Sequence, residues 1–569
     1  MTWRIQDSEL GRGQTLTNSN KDLLKITDLQ VSFSTDQGSV PAVSGVSLSV
    51  GQQEVLAIVG ESGSGKSVTS KAILQMLPDT ATAKGVIVLS GKDMLSLSSA
   101  ELREARGTDA AMVFQEPSTA LNPVFTVGWQ IAEGLRAHSG KNGKRLSRKA
   151  AKELVIAMLE RVGIPDAKSR INYFPHQFSG GQKQRIVIAA ALVLEPKLII
   201  ADEPTTALDV TVQAEILDLL RSCRDDLGAS ILLITHNMGV VADIADRVAV
   251  MFDGKLLEQG PIREIFSNPT HDYTKRLLAA VPRIGSTTKP RFEAKGQTPV
   301  VSAKELEIEY PGRLNTPAFK AVKKVSFDIH PGEVVGLVGE SGSGKTTIGR
   351  AIAGLTNISG GSLTVSGHQM LGFKERQFRP LRKEIGFVFQ DPASSFNPLM
   401  TIQQCIAEPM LIHESDLGSR EIEKRVLELL DQVQLPIQFA TRYPHELSGG
   451  QRQRASLARA LALSPKLVIA DEPTSALDVS VQAKVLDLFA RLQKELNFAA
   501  LFITHDLAVV DQVADRLLVL FGGELVEEGN ANEVLANPQH PYTTRLLASH
   551  PIPDPDEQAL HREVLKSLK

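Results

Sequence analysis

The stretch GESGSGKS, residues 60–67, follows an apolar run, EVLAIVG (54–60), and opens a helical one. Small residues let the backbone turn tightly, so that successive N–H groups and the positive end of the next helix converge on one point, an arrangement suited to phosphate. In such a loop Gly60, Ser62, Gly63, Ser64 and Gly65 form the cradle. Lys66 reaches the outer phosphates and the Ser67 hydroxyl binds Mg2+. Nearly the same letters return as GESGSGKT at 339–346, where Gly339, Ser341, Gly342, Ser343, Gly344, Lys345 and Thr346 hold the equivalent places. The spacing predicts a phosphate-binding loop twice.

The duplication runs through the chain. FQEPSTALNP (114–123) matches FQDPASSFNP (389–398), FSGGQ (178–182) matches LSGGQ (447–451), and NPTHDYTKRLLAAVP (268–282) matches NPQHPYTTRLLASHP (537–551). A fixed internal period of this kind sets the architecture before any other signal. Two homologous domains follow, 24–282 and 303–551. Between them 283–302, rich in Pro, Gly, Ser and Thr, is expected to be a flexible linker able to span on the order of 60 Å when extended. Residues 1–23 are expected as a loose N-terminal tail and 552–569 as a C-terminal tail.

Within each copy, short continuous apolar runs such as KLIIADE (197–203) and SILLITH (230–236) alternate with helical patterns, which predicts an α/β core with a parallel sheet. SRKAAKELVIAMLERVG (147–163) places Ala151, Leu154, Val155, Met158, Leu159 and Val162 at helical spacing, which predicts a helical subdomain inserted into that core. The fold class is therefore two tandem P-loop nucleotide-hydrolase domains.

Composition excludes several roles. With 42% hydrophobic and 22% charged residues the chain is ordinary for a globular protein, and a net charge of -3 carries no footprint for nucleic acid. The run IVIAAALVLEPKLIIA (186–201) is broken by Glu195, Pro196 and Lys197, short of the ~18–20 apolar residues that a membrane span needs. The polar N-terminus lacks the apolar core of a signal peptide. Two cysteines, Cys223 and Cys405, stand in unrelated contexts, which suits a reducing compartment with idle thiols.

The strands LIIADEP (198–204) and LVIADEP (467–473) end in acid pairs. Asp202 and Asp471 are candidates for the Mg2+ shell, and Glu203 and Glu472 for polarising the attacking water. His236 and His505 end the next strands, where an imidazole can meet the terminal phosphate. Gln115 and Gln390 offer neutral amides to Mg2+ and water. In FSGGQKQR (178–185) and LSGGQRQR (447–454) a hydroxyl, two glycines and an amide open a helix, so that N–H groups, the Ser Oγ and the helix dipole can receive an anion.

With those segments the chain resembles ATP-binding cassette proteins over nearly its whole length. The resemblance implies that each signature faces the phosphate loop of the other domain and that two ATP molecules are sandwiched between them. One site would join Lys66, Ser67, Gln115, Asp202, Glu203 and His236 to Ser448 and Gly450. The other would join Lys345, Thr346, Gln390, Asp471, Glu472 and His505 to Ser179 and Gly181. ALD at 207–209 and 476–478 resembles the loop crossing between sites, which makes Asp209 and Asp478 candidate couplers. Phe33 and Tyr310 lie where the family places an aromatic on adenine.

The FQ, SGGQ and NP-x-H-x-Y segments are similar to those of the oligopeptide, dipeptide and nickel importers of bacteria, whose two ATPase subunits are sometimes fused. This resemblance implies an ATPase at the cytoplasmic face of the cell membrane, peripheral, with two transmembrane permease subunits and a separate extracytoplasmic binding protein, and without nucleic acid. Members of that group often carry a cysteine cluster after the NP-x-H-x-Y segment; its absence from 283–302 and 552–569 predicts no iron–sulfur cluster. The rival expectation is a soluble twin-cassette ATPase acting on ribosomes or nucleic acid.

Overall fold

A computed structural model describes residues 22–36, 38–138, 146–206, 208–285, 289–294, 296–312, 318–414, 416–475 and 477–567. Nearly all of the N-terminal tail expected at 1–23 lies outside them, as do Ala207 and Ala476 of the two ALD segments.

Each cassette holds a six-stranded sheet. In the first, the order is Lys255–Pro261, Arg247–Phe252, Val55–Val59, Ser230–Ile234, Leu198–Asp202 and Ala110–Val113; all neighbours are parallel except the first pair. The second cassette repeats this order from Glu524–Asn530 to Ile385–Val388. The three runs read as buried strands are fully buried.

Alternation along Val55–Val59 shows why the run is continuously apolar. Val55, Ala57 and Val59 enter a core shared with the helices, while Leu56 and Ile58 enter a second core on the opposite face. A parallel strand covered on both faces has no polar side to present. Each fully buried large aliphatic side chain there contributes about 1.5–3 kcal/mol.

The second core is closed by an element not foreseen from the sequence, a four-stranded antiparallel sheet. It comprises Gly38–Val50, Leu24–Thr35, Ala81–Leu89 and Lys92–Asp93 in the first cassette, and is repeated in the second. The inserted helical subdomain is present, with helices Val127–His138 and Arg148–Arg161. Ala151, Val155, Leu159 and Val162 are buried, but Leu154, expected on the same face, is 48% exposed.

The segments outside the cassettes are more ordered than tails and a free linker. From 283–302, the Gly285 N–H donates to Asp511 Oδ2 (3.0 Å), Lys289 Nζ donates to Ala514 O (3.3 Å), and Val301 already lies in strand Val301–Tyr310. Burial pushes the Lys289 ammonium down to about 8. Of 552–569, Pro555–Ser567 is a helix lying against Met238–Ile244 of the first cassette. Gln558 Nε2 and Arg562 Nη2 donate to Asp243 Oδ1 at 2.9 and 2.7 Å, and Arg221 pairs with the same carboxylate. A buried Asp243 between two guanidiniums draws in the end of the chain, which composition alone could not show.

Removing Asp243 takes the carboxylate partner from Arg562 and leaves Arg221 with Asp218 alone, at a cost bounded by the roughly 3–5 kcal/mol of a fully broken buried ion pair. Asp243→Ala is therefore expected to lower the unfolding midpoint and to abolish hydrogen-exchange protection of 555–567. Arg562→Ala should release the helix while leaving the first cassette closer to its original stability.

Candidate active site

The phosphate loops open helices Lys66–Ile73 and Lys345–Ile352. Neither helix has a side-chain cap, so its first N–H groups remain available to an anion. Lys66 and Lys345 are 6% and 5% exposed. Lys66 Nζ donates to Gly60 O (2.8 Å) and Glu61 O (2.7 Å), and Lys345 Nζ to Gly339 O and Glu340 O, both at 2.8 Å. Burial pushes both ammonium groups down, against nearby carboxylates that push them up.

Beside each lysine the hydroxyl and the strand-tip aspartate converge. Ser67 Oγ donates to Asp202 Oδ1 at 2.9 Å, and Thr346 Oγ1 to Asp471 Oδ1 at 3.0 Å. Burial raises both aspartates above the usual carboxylate value. Oxygen donors around an incompletely compensated buried carboxylate fit Mg2+, a hard cation held by few protein ligands.

The adjacent glutamates have an unusual backbone. Glu203 and Glu472 have φ of 49° and 46°. This left-handed conformation costs a non-glycine residue about 1–3 kcal/mol and is concentrated at functional sites. The Glu203 carboxylate meets three partners and that of Glu472 two. Glu203 receives Gln115 Nε2 (2.8 Å) and Thr206 Oγ1 (2.9 Å), and lies 3.1 Å from His236 Nδ1. Glu472 receives Gln390 Nε2 (2.8 Å) and lies 3.2 Å from His505 Nδ1. Burial opposes charge on all four groups. The glutamate–imidazole contacts nonetheless hold the glutamates below their ordinary value and the histidines above theirs, so each contact favours the charged form of both partners.

The two cassettes face each other. The Ser341 N–H, in the second phosphate loop, donates to Asp209 Oδ1 of the first cassette at 2.6 Å. Reciprocally, Ser480 Oγ of the second cassette donates to Glu61 Oε1 in the first loop at 2.6 Å. Asp209 also lies in the field of Lys345, and Asp478 in that of Lys66. On the seam, a cavity of about 120 Å³ is lined by His236 and His505 together.

The signatures stand nearby. Ser179 and Ser448 cap their own helices by accepting the N–H groups of Gln182 and Gln451. Neither, among the described residues, hydrogen-bonds the opposite loop. Gly181 and Gly450 are required by close approach, since a Cβ would meet Val212 Cγ1 at 2.6 Å and Val481 Cγ1 at 2.2 Å. Of the aromatics, Tyr310 is 41% exposed with its hydroxyl 3.4 Å from Thr347 Oγ1. Phe33 packs half-buried against the antiparallel-sheet core. Both cysteines are buried, and burial pushes Cys223 up to about 11.

The sequence model of the ABC transporter family matches residues 43–206 and 322–475. The chain belongs to the ABC transporter family. A second model, the oligopeptide/dipeptide transporter C-terminal region, matches 257–307 and 526–567, again in both copies. The chain is 44% identical to the glutathione import ATP-binding protein GsiA of Escherichia coli O157:H7, over 96% of this chain and 92% of that protein. It is 43% identical to GsiA of Escherichia coli K12 with the same coverage. Among solved structures, a dimeric post-hydrolysis state of the ATP-binding cassette MJ0796 bound to ADP and Pi is 32% identical. It covers 41% of this chain and 98% of that one, with a TM-score of 0.38. The chain is thus a fused pair of ABC-type ATPase cassettes, an ATPase coupled to transport. Among the described residues, no helix is long and apolar enough to cross a membrane.

The glutamate–histidine contact has a pH signature. The histidine contribution is fully present below 6.5 and is lost as pH rises through the raised folded value; the glutamate contribution is present above 4.5 and is lost as pH falls through the lowered one. Ring-proton NMR titration of the nucleotide-free chain is expected to place His236 and His505 above 6.5. Glu203→Gln should lower His236 and leave His505 in place, because burial and Lys66 are then opposed by Asp478 without the Glu203 contact.

Proposed function

We propose that the chain is the ATP-hydrolysing subunit of a bacterial importer of small peptides, of which glutathione is one. It acts at the cytoplasmic face of the membrane with two permease subunits and an extracytoplasmic binding protein. The oligopeptide/dipeptide C-terminal region, repeated after each cassette, carries this reading. The similarity to glutathione import ATP-binding proteins supports it, and transporter-family membership counts against a ribosome or nucleic-acid partner.

At each site the loop N–H groups and Lys66 or Lys345 bind the phosphates, with Ser67, Asp202 and Gln115, or Thr346, Asp471 and Gln390, arranged to hold Mg2+. Bound Mg2+ supplies neutralisation of phosphate charge. Glu203 and Glu472 orient the attacking water and accept its proton, while His236 and His505 fix the carboxylates and face the terminal phosphate. Ser448 with Gly450, and Ser179 with Gly181, complete the sites from the opposite cassette. ATP closes the clamp and hydrolysis releases it; transport follows because the permeases meet different surfaces in the two states.

Losing a general base typically costs 10²–10⁴-fold in rate. The Glu203→Gln/Glu472→Gln double variant should therefore lose at least about 10²-fold in ATPase kcat, yet still close with ATP, as read by fluorescence transfer between the cassettes. Turnover near the wild-type rate would remove these roles. The cargo is tested in proteoliposomes with the neighbouring permeases and binding protein. ATPase stimulation by glutathione or dipeptides supports the reading; stimulation by Ni2+ alone, or recovery of ribosomes without permeases, contradicts it.

A further inference from the structure

The NP-x-H-x-Y segments distinguish this chain from a bare pair of cassettes, yet the ATPase chemistry leaves them without a task. Their local structure is fully specified. The side chains of His271 and His540 cap helices Asp272–Ala279 and Pro541–Ala548 by accepting the N–H of Tyr273 and Tyr542. Glu258 anchors the turn before the first helix through the N–H groups of Thr270 and His271, and Glu527 does the same through Gln539 and His540.

This scaffold delivers a tyrosine to each phosphate loop. Tyr273 is 5% exposed and Tyr542 8%, with their rings against Phe252 and Phe521 at centroid separations of 4.5 and 4.2 Å. The Tyr273 phenol oxygen accepts the Glu61 N–H at 3.1 Å, and the Tyr542 oxygen accepts the Glu340 N–H at 3.0 Å. The Gly60–Glu61 peptide unit is thereby held at both ends, its carbonyl by Lys66 and its amide by Tyr273. The Gly339–Glu340 unit is held likewise by Lys345 and Tyr542.

These peptide units need a second restraint. Gly60 and Gly339 have φ of 147° and 150°, a region open to glycine and otherwise nearly empty. A Cβ at either position would lie 2.1 Å from the carbonyl oxygen of Met251 or Leu520. Glycine is thus obligatory, and glycine leaves the backbone free to rotate. When Lys66 or Lys345 turns toward a phosphate, the carbonyl restraint weakens and the tyrosine contact remains.

We infer that Tyr273 and Tyr542 are positioning residues for the phosphate loops, holding the first peptide unit of each loop in the conformation that receives ATP. The inference rests on the phosphate-loop reading of the two sites. It also gives the C-terminal region a direct hold on nucleotide affinity, since the helix bearing Tyr273 touches Val479–Leu496 of the other cassette, and the helix bearing Tyr542 touches Val210–Leu227.

The test uses the full chain and measures equilibrium ATP affinity, the split between KM and kcat, and the unfolding midpoint. Tyr273→Phe/Tyr542→Phe removes two oxygens and no ring packing. It is expected to raise Kd and KM for ATP by about two- to tenfold, the usual weight of a neutral hydrogen bond, with kcat within about twofold. A lowered unfolding midpoint with unchanged Kd overturns the inference, because that is the result of packing alone. Site-specific ring-fluorinated tyrosine at 273 and 542, which weakens the oxygen as an acceptor while keeping every contact, provides a second measurement should the Phe variant not fold. Kd should rise with the degree of fluorination, and a flat response overturns the inference. Lys66→Ala/Lys345→Ala separates the two levels: loss of ATP binding there with unchanged affinity in the tyrosine variants overturns the tyrosine role alone, whereas retained binding in the lysine variant overturns the loop reading and this inference with it.

Discussion

A carboxylate oxygen of Asp209, in the first cassette, sits 2.6 Å from the Ser341 N–H in the phosphate loop of the second. Ser480 makes the reciprocal reach to Glu61 at the same separation. These two bonds fix the cassettes head to tail across a shared seam. The phosphate-loop N–H of Ser341 is thus occupied by a carboxylate of the other cassette. The placement of the Glu203–His236 and Glu472–His505 pairs near a common cavity follows from the same seam.

The seam is not symmetric. Ser480 satisfies Glu61, while the residue in its place in the first cassette, Thr211, keeps its hydroxyl buried without a hydrogen-bond partner. The flanking segments differ too: Gly285 and Lys289 bond to Asp511 and Ala514 of the second cassette, and 555–567 crosses to Asp243 on the first. The helix that follows each histidine strand is contacted by a different segment, by 555–567 in the first cassette and by Gly285 and Lys289 in the second.

The parts of this arrangement legible in the sequence were those set by period and by chemistry confined to a few neighbouring residues. The repeat exposed two domains, and the continuous runs exposed the parallel strands because both faces of such a sheet are buried. Lys66, Asp202, Glu203 and His236 were legible as candidates because Lys66 opens a helix, Asp202 ends a strand, and Glu203 and His236 follow within two residues of a strand's end. The antiparallel sheet was not: Leu24–Thr35 and Gly38–Val50 carry several register shifts, which break the two-residue alternation that marks a strand. Leu154 was misplaced because periodicity shows an apolar stripe and not its width. The left-handed backbone at Glu203 and Glu472 left no compositional trace. The tyrosine contact spans 212 residues of chain, a distance at which spacing carries no information. Its one signal was a repeated motif with no task in the chemistry.

The central claim is that each ATP site is built from both cassettes. Site-resolved photolabelling with an azido-ATP tests it directly, with label assigned to the Lys66 or the Lys345 loop by peptide mapping in a Ser448→Arg variant. Ser448 belongs to the second cassette, but the account predicts that labelling and trapping fail at the Lys66 loop of the first and persist at Lys345. Loss at Lys345 with retention at Lys66 would contradict it.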